Sequence, residues 1–319
     1  MMRAATLAAP HDIRVDLAPV PDPGPCEVRI RLEGCGVCAS NVEPWDGNPW
    51  TSYPGEPGGL GHEGWGVVDA VGRNVSTIHR GQRVASLACR SYADYDVTPV
   101  TELAVLPDTL GEIPFPGEAL ACAVNIFRRS DIRAGQTVAI VGVGFLGAVL
   151  TRLTSLAGGR VIAVSRRTSS LNLARDFGAA MTIVMDDHQR IVERVAAETQ
   201  GRMCERVIEC VGRQWPLDLA GELVGFGGRL VIAGYHQDGP RQVSMQMWNW
   251  KGIDVINAHE REKEIQVRGL REAVDAVAGG RIDLARLMTH SYPLERLGEA
   301  LQTTRDKPEG FVKAWVQLA

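Results

Sequence analysis

Apolar and polar residues follow two different rhythms along this chain. From Arg3 to about Val105 the apolar residues come in short strand-like runs, at 26–32, 64–71 and 83–87, separated by glycine and proline. The breaks at 19–25 and 53–59 are dense in those two residues, which punctuate strands rather than continue them. This half predicts a β-rich, partly barrel-like domain with long loops. A second breaker-rich stretch, Gly111-Glu112-Ile113-Pro114-Phe115-Pro116-Gly117, marks a crossing into another domain.

Beyond it the rhythm changes. Strand-like runs at 137–141, 161–164, 181–184, 206–209, 229–233 and 253–256 are separated by helical stretches such as 145–156, 169–177 and 191–199. Six strands with helices between them describe an α/β fold with a doubly wound parallel sheet. An amphipathic run at 265–277 then stops at Gly279-Gly280, and a tail from 290 to 316 has strand-like ends. That tail is expected to return to the first domain, giving a β-rich domain of 1–117 with 260–319 and a sheet domain of 118–259.

Composition narrows the function classes. The chain has 319 residues, 45% of them hydrophobic, enough for two cores. A net charge of −4 supplies no basic field for nucleic acid or anionic lipid. No apolar run reaches the length of a membrane helix, and the N-terminal segment is interrupted by His11-Asp12 before it can form a secretion signal. Seven scattered cysteines, an odd number, read as reduced thiols of a cytoplasmic protein.

Two motifs carry chemistry. Cys38 stands in Gly34-Cys35-Gly36-Val37-Cys38-Ala39-Ser40, and His62 and Glu63 stand in Gly61-His62-Glu63-Gly64. A thiolate, an imidazole and a carboxylate are the donors a catalytic zinc takes, with one position left open. A remaining ligand could come from Glu118 or from Cys122, one helical turn on; Glu118 is preferred, because it should point out of the helix end. The second motif, Gly142-Val143-Gly144-Phe145-Leu146-Gly147, follows an apolar strand and opens an apolar helix. In that context its glycines, with the N–H groups of the helix start, cradle a dinucleotide pyrophosphate. The next strand ends in Ser165-Arg166-Arg167, where an acid would bind the ribose 2′-OH of NAD. A hydroxyl and two guanidiniums suit a 2′-phosphate instead, so NADP(H) is expected over NAD(H). Trp45 is a candidate pocket wall or a packing residue.

With these residues in order, the chain resembles the zinc-dependent medium-chain dehydrogenase/reductase family of alcohol and polyol dehydrogenases, over 3–316. The resemblance implies a GroES-like catalytic domain, a Rossmann coenzyme domain and a cleft between them. It implies zinc held by Cys38, His62 and a carboxylate, with Glu118 at the fourth position used in the sorbitol and threonine dehydrogenase branch. Ser40 matches the hydroxyl that passes on the substrate proton, and Glu43 takes the place of a relay histidine. Asn41 stands where an aspartate usually supports the histidine ligand. Only Cys89 falls where many members carry a four-cysteine structural-zinc lobe, so one zinc per chain is expected.

The expected activity is hydride transfer between NADP(H) and a secondary alcohol or polyol/ketone pair, by a homo-dimer or tetramer with no nucleic-acid or membrane partner. A zinc-free NADPH-dependent reductase of activated double bonds, or a catalytically silent dinucleotide-binding protein, are the alternatives.

Overall fold

The computed structural model describes residues 1–318. They form two compact units, Met1–Cys122 together with the chain from Arg261 onward, and Ala123–Glu260.

The first unit opens with an antiparallel hairpin, β1 (Met2–Ala9) and β2 (Asp12–Ala18). Its main sheet is built on β3 (Glu27–Val37), with β4 (Gly64–Val71), β5 (Arg83–Ser86), β6 (Tyr95–Pro99) and β7 (Leu103–Val105). In β3 the side chains of Val28, Ile30 and Leu32 are buried in the core, while Arg29, Arg31 and Glu33 face outward. That period of two fixes which face of the strand is inside. Two of the outward charges are paired: Arg29 Nη2 lies 2.7 Å from Asp69 and Arg83 Nε 2.7 Å from Glu33. After β3 the chain turns through α1 (Val42–Asp46), and after β7 it enters α2 (Gly117–Ser130).

The second unit is a six-stranded parallel sheet. Its strands are β8 (Thr137–Val141), β9 (Arg160–Ser165), β10 (Met181–Val184), β11 (Cys204–Glu209), β12 (Val224–Ile232) and β13 (Asp254–Asn257), in the order β10-β9-β8-β11-β12-β13. The order reverses direction between β8 and β11, the switch point of a doubly wound sheet. Helices α3 (Phe145–Leu156), α4 (Thr168–Asp176), α5 (His188–Glu198), α6 (Gln214–Leu223) and α7 (Met245–Lys251) connect the strands. Val138, Ala139, Ile140 and Val141 are all fully buried, as expected of a strand covered on both faces. Helix α6 carries Pro216 in its first turn, where proline is tolerated. One detail differs from the sequence reading. Strand β12 starts at Val224 and runs through Gly225-Phe226-Gly227-Gly228, with an irregularity in its pairing to β11 that absorbs the glycines.

The chain then returns to the first unit as α8 (Lys263–Ala278), β14 (Met288–Pro293), α9 (Leu297–Asp306) and β15 (Lys313–Gln317). Strand β15 joins the first sheet antiparallel to β3, pairing Ala314 with Val37 and Trp315 with Gly36. The tail therefore completes the sheet from which the Cys38 loop emerges.

Candidate functional site

Cys38 leaves the end of β3 in extended conformation and caps a one-turn 3-10 segment, Ala39–Asn41. His62 and Glu63 immediately precede β4, the strand that pairs with β3. Sheet pairing thus brings the two motifs together. The donor atoms of Cys38, His62 and Glu63 all lie within 4.8 Å of one another.

Each of these side chains is held. His62 Nδ1 is 2.8 Å from the Leu60 carbonyl oxygen, which only accepts, so Nδ1 carries the proton and Nε2 is the ligand atom. Leu60 adopts a left-handed backbone, φ +69°, unusual for a leucine. Burial alone would lower the His62 pKa, but the hydrogen bond to Cys38 and the charges of Cys38, Glu118 and Glu63 outweigh it and push it up to about 10. So concentrated a negative field at a thiolate, imidazole and carboxylate fits a divalent cation.

Glu63 is fully buried and faces a buried cation. Lys313 Nζ lies 2.8 Å from both carboxylate oxygens, donating its hydrogen bond to Oε1 and pairing by charge with Oε2, which has no hydrogen bond of its own. Oε2, held by that charge contact alone and by no hydrogen bond, keeps lone pairs that can serve a cation. Burial acts to lower the Lys313 pKa; the charges of Glu63 and Cys38 and the bond to Glu63 more than reverse this. The pair is packed so closely against β3 that a Cβ on Gly36 would stand 1.9 Å from Glu63 Oε2.

Glu118 lies outside the close group. It is in the first turn of α2, and its Oε1 accepts a hydrogen bond from Cys122 Sγ at 3.1 Å. Burial, then Glu118, push the Cys122 thiol well above its ordinary pKa. Cys122 is therefore a neutral donor to Glu118, which favours the carboxylate over the sulfur as the further ligand. Ser40 sits in the 3-10 turn beside Cys38, and Glu43 in the first turn of α1. Trp45 is a packing residue, buried in the core with the His11 ring 4.3 Å away and the Arg305 guanidinium over its face.

In the second unit the glycine turn joins β8 to α3 at the carboxyl end of the sheet. Gly142 has φ +99°, and a Cβ on Gly147 would stand 2.0 Å from the Gly142 carbonyl oxygen. A Cβ on Gly144 would meet nothing within 4 Å, leaving an open cradle at the start of the helix beside Phe145 and Leu146. Gly142 N–H bonds to the Val164 carbonyl at 2.8 Å, so the turn adjoins Ser165, Arg166 and Arg167 at the end of β9. Ser165 is buried, Arg166 exposed, and Arg167 caps α4. The residues present fit a dinucleotide.

The sequence reading passed over four contributors. Lys313 stood in the segment Gly310-Phe311-Val312-Lys313, which resembles the family's closing segment, with nothing to pair it with Glu63. Tyr92 and the Leu60 carbonyl gave no signal. Glu209, fully buried at the end of β11, also went unassigned: it accepts from the Val211 and Gly212 N–H groups and faces His236 Nε2 at 3.0 Å. Arg241 Nε donates to His236 Nδ1 at 2.8 Å, which fixes that ring as the Nε2–H tautomer.

Two family profiles match the chain, an alcohol dehydrogenase GroES-like domain over residues 24–112 and a zinc-binding dehydrogenase over 145–275. Sorbitol dehydrogenase from Gallus gallus is 27% identical, over 92% of this chain and 90% of its own length. A structure from Sinorhizobium meliloti 1021, described as a zinc-binding dehydrogenase and bound to NADP, is 26% identical, with a TM-score of 0.85 and 99% of both chains covered. The 2R,3R-butanediol dehydrogenase of Bacillus subtilis, 22% identical with a TM-score of 0.85 over 99% of both chains, shares the fold.

Proposed function

Because the chain belongs to the zinc-type medium-chain alcohol and polyol dehydrogenases, and is an oxidoreductase of that kind, we propose that it interconverts a secondary alcohol or polyol with its ketone, using one zinc and NADP(H). The observation that carries this reading is the convergence of Cys38, His62 and Glu63 donors within 4.8 Å. When bound, zinc supplies Lewis-acid polarisation of the substrate oxygen and the nicotinamide accepts or returns the hydride.

The chain's own residues do the rest. Cys38 and His62 hold the metal, with Glu63 or Glu118 as the carboxylate ligand. Lys313 balances the charge of Glu63 when that carboxylate is not needed. Ser40 takes the hydroxyl proton of the substrate, and Glu43 is the outer base that passes it to solvent. Gly142, Gly144, Phe145, Leu146 and Gly147 cradle the pyrophosphate with backbone N–H groups. Ser165, Arg166 and Arg167 bind the 2′-phosphate, two guanidiniums outweighing what a ribose hydroxyl would gain.

The substrate is a small hydroxylated molecule, and the working assembly a homo-dimer or tetramer in the cytoplasm. The cysteines of the described residues are all free, in keeping with a reducing compartment. Among the described residues no helix is long and apolar enough to cross a membrane.

Elemental analysis combined with a panel of sugar, cyclitol, aromatic and aliphatic alcohols, each with NADP and NAD, tests the proposal. One zinc per chain and NADP-linked oxidation of a secondary alcohol are expected. Full activity in a metal-free preparation, or reduction of activated double bonds alone, would overturn it.

A further inference from the structure

We infer that Glu209, His236 and Arg241 are positioning residues for the coenzyme, a clamp that holds the loops after β11 and β12 in shape beneath its nicotinamide half. The inference rests on the dinucleotide reading above and deepens it. Glu209 is fully buried at the end of β11. Its Oε1 accepts from the Val211 and Gly212 N–H groups at 2.6 and 2.8 Å, and its Oε2 from His236 Nε2 at 3.0 Å. Its carbonyl oxygen accepts from the Ala233 and Gly234 N–H groups at 2.9 and 2.8 Å. Arg241 closes the circuit, donating from Nε to His236 Nδ1 at 2.8 Å and from Nη2 to the Gly212 carbonyl at 2.9 Å. Asp238 pairs with both Arg241 and Arg213, so charges of opposite sign alternate across the two loops.

The direction of these bonds is forced. Arg241 has only donors, so His236 Nδ1 accepts, Nε2 carries the proton, and the group facing Nε2 must accept. The imidazole is thus a neutral spacer between a buried anion and a cation. The segment it fastens has no ladder of its own: from Ala233 to Ser244 the backbone is neither helix nor strand. An irregular run of that length is more typical of a binding segment than of a plain connection. The two loops are packed so closely that a Cβ on Gly234 would stand 2.2 Å from the Gly212 nitrogen and 2.6 Å from Glu209 Oε2. Between the clamped Gly234 and His236, Tyr235 keeps half of its surface exposed beside the His259 ring, an aromatic face open to a ligand.

The place of the clamp in the sheet identifies what it serves. The strands run β10-β9-β8-β11-β12-β13, with Ser165, Arg166 and Arg167 after β9 at the adenosine end and the glycine turn after β8 at the pyrophosphate. A dinucleotide lying across the switch point reaches the carboxyl ends of β11 and β12 with its nicotinamide half. Loops disordered before binding lower the affinity by the fraction of time they are out of shape, so a clamp formed in advance strengthens that half alone. Glu209→Gln breaks the order of donors: its NH2 would face either the Val211 and Gly212 N–H groups or His236 Nε2–H, donors in both cases. His236→Gln keeps the order, since a side-chain amide offers an N–H to Glu209 and an oxygen to Arg241.

The test compares the parent protein with E209Q, H236L, R241L and H236Q. Titration calorimetry measures the affinity of NADPH and NADH, and of 2′,5′-ADP and AMP, which carry the adenosine end alone. Thermal melts and amide hydrogen exchange of the free proteins accompany it. E209Q, H236L and R241L should bind the dinucleotides about 10–100-fold more weakly and the adenosine fragments as the parent does. Their exchange should quicken at 210–213 and 233–244, while H236Q stays close to the parent on every count. R241L, at the edge of the network, keeps the comparison open if E209Q does not fold. Equal losses for fragments and dinucleotides, unchanged dinucleotide affinity, or a lower melting temperature as the only change would overturn the inference, and so would an H236Q no better than H236L. A parent protein that binds neither dinucleotide would refute the dinucleotide reading instead, and exchange at 233–244 would still judge the clamp.

Discussion

Lys313 Nζ stands 2.8 Å from the Glu63 carboxylate, a buried ion pair between residues 250 positions apart. It joins the last strand of the chain to the strand that follows the candidate metal histidine. Two charges withdrawn from water are tolerable there only together.

Removing the cation alone should therefore be costly. Lys313→Met leaves Glu63 as an unpaired buried anion and is expected to destabilise the metal-free protein by about 3–5 kcal/mol. Adding Glu63→Gln should recover most of that loss. Urea unfolding of the two variants and the parent, followed by tryptophan fluorescence, checks it; a single variant as stable as the parent would mean that the pair contributes nothing.

Cys38→Ala removes the one thiolate of the group. Zinc content should fall from one per chain to none, and turnover should vanish with it, while dinucleotide binding by the other unit persists. Elemental analysis alongside coenzyme titration distinguishes this from general misfolding, in which coenzyme binding would be lost too.

Arg166 is exposed just after β9, and the proposed role of its guanidinium is to bind a 2′-phosphate. NADPH should be preferred over NADH by about 10–100-fold in kcat/KM. Arg166→Asp should reverse that order, since it adds repulsion as well as removing attraction. Equal use of both coenzymes by the parent protein would count against the assignment.

Ser40→Ala should lower kcat by about 10²-fold, the low end of general acid–base contributions. The relay is read in the pH profile. An ordinary carboxylate titrates near ~4.3 and a histidine near ~6.5, so Glu43→His should move the acid limb of kcat for alcohol oxidation upward, and Glu43→Gln should remove it. If neither variant changes the profile while Ser40→Ala does, Glu43 is outside the relay.

Cys204 supplies a linkage test away from the site. Burial first, then the charge of Glu205, push its thiol up to about 12, while an unfolded thiol ionises near ~8.5. The folded state thus holds the proton more tightly. Its stabilising contribution is complete below about pH 8.5 and is lost as pH rises toward 12. Cys204→Ala should flatten that part of the stability curve, measured by urea midpoints between about pH 8 and 11. An alkaline limb identical to the parent's would show that Cys204 has no share in it.

Much of this protein was legible one segment at a time. Strands such as Gly64–Val71, Thr137–Val141 and Met181–Val184 were visible because their apolar runs are local and bounded by turn residues. The glycine turn at Gly142 was visible because backbone conformation and close helix packing demand glycine at fixed positions within a few residues. Cys38 and His62 stood out through their donor chemistry. Trp45 did not resolve itself this way: a large aromatic serves a core or a pocket equally well, and only its burial between His11 and Arg305 decided for packing.

The partners of the site residues were beyond the sequence. Whether Lys313 meets Glu63 depends on the antiparallel register that sets Ala314 opposite Val37, and register is a property of two strands far apart in the chain. The support of His62 depends on one left-handed leucine, whose carbonyl oxygen accepts from both His62 Nδ1 and Asn41 Nδ2, and on Asn41 and Tyr92 meeting across a loop. Glu118 falls outside the close donor group because the start of α2 places it beside Cys122. Local pattern determined which donors and turns this chain possesses; tertiary packing, which sums weak contacts between distant segments, decided which of them face one another and in what state of charge.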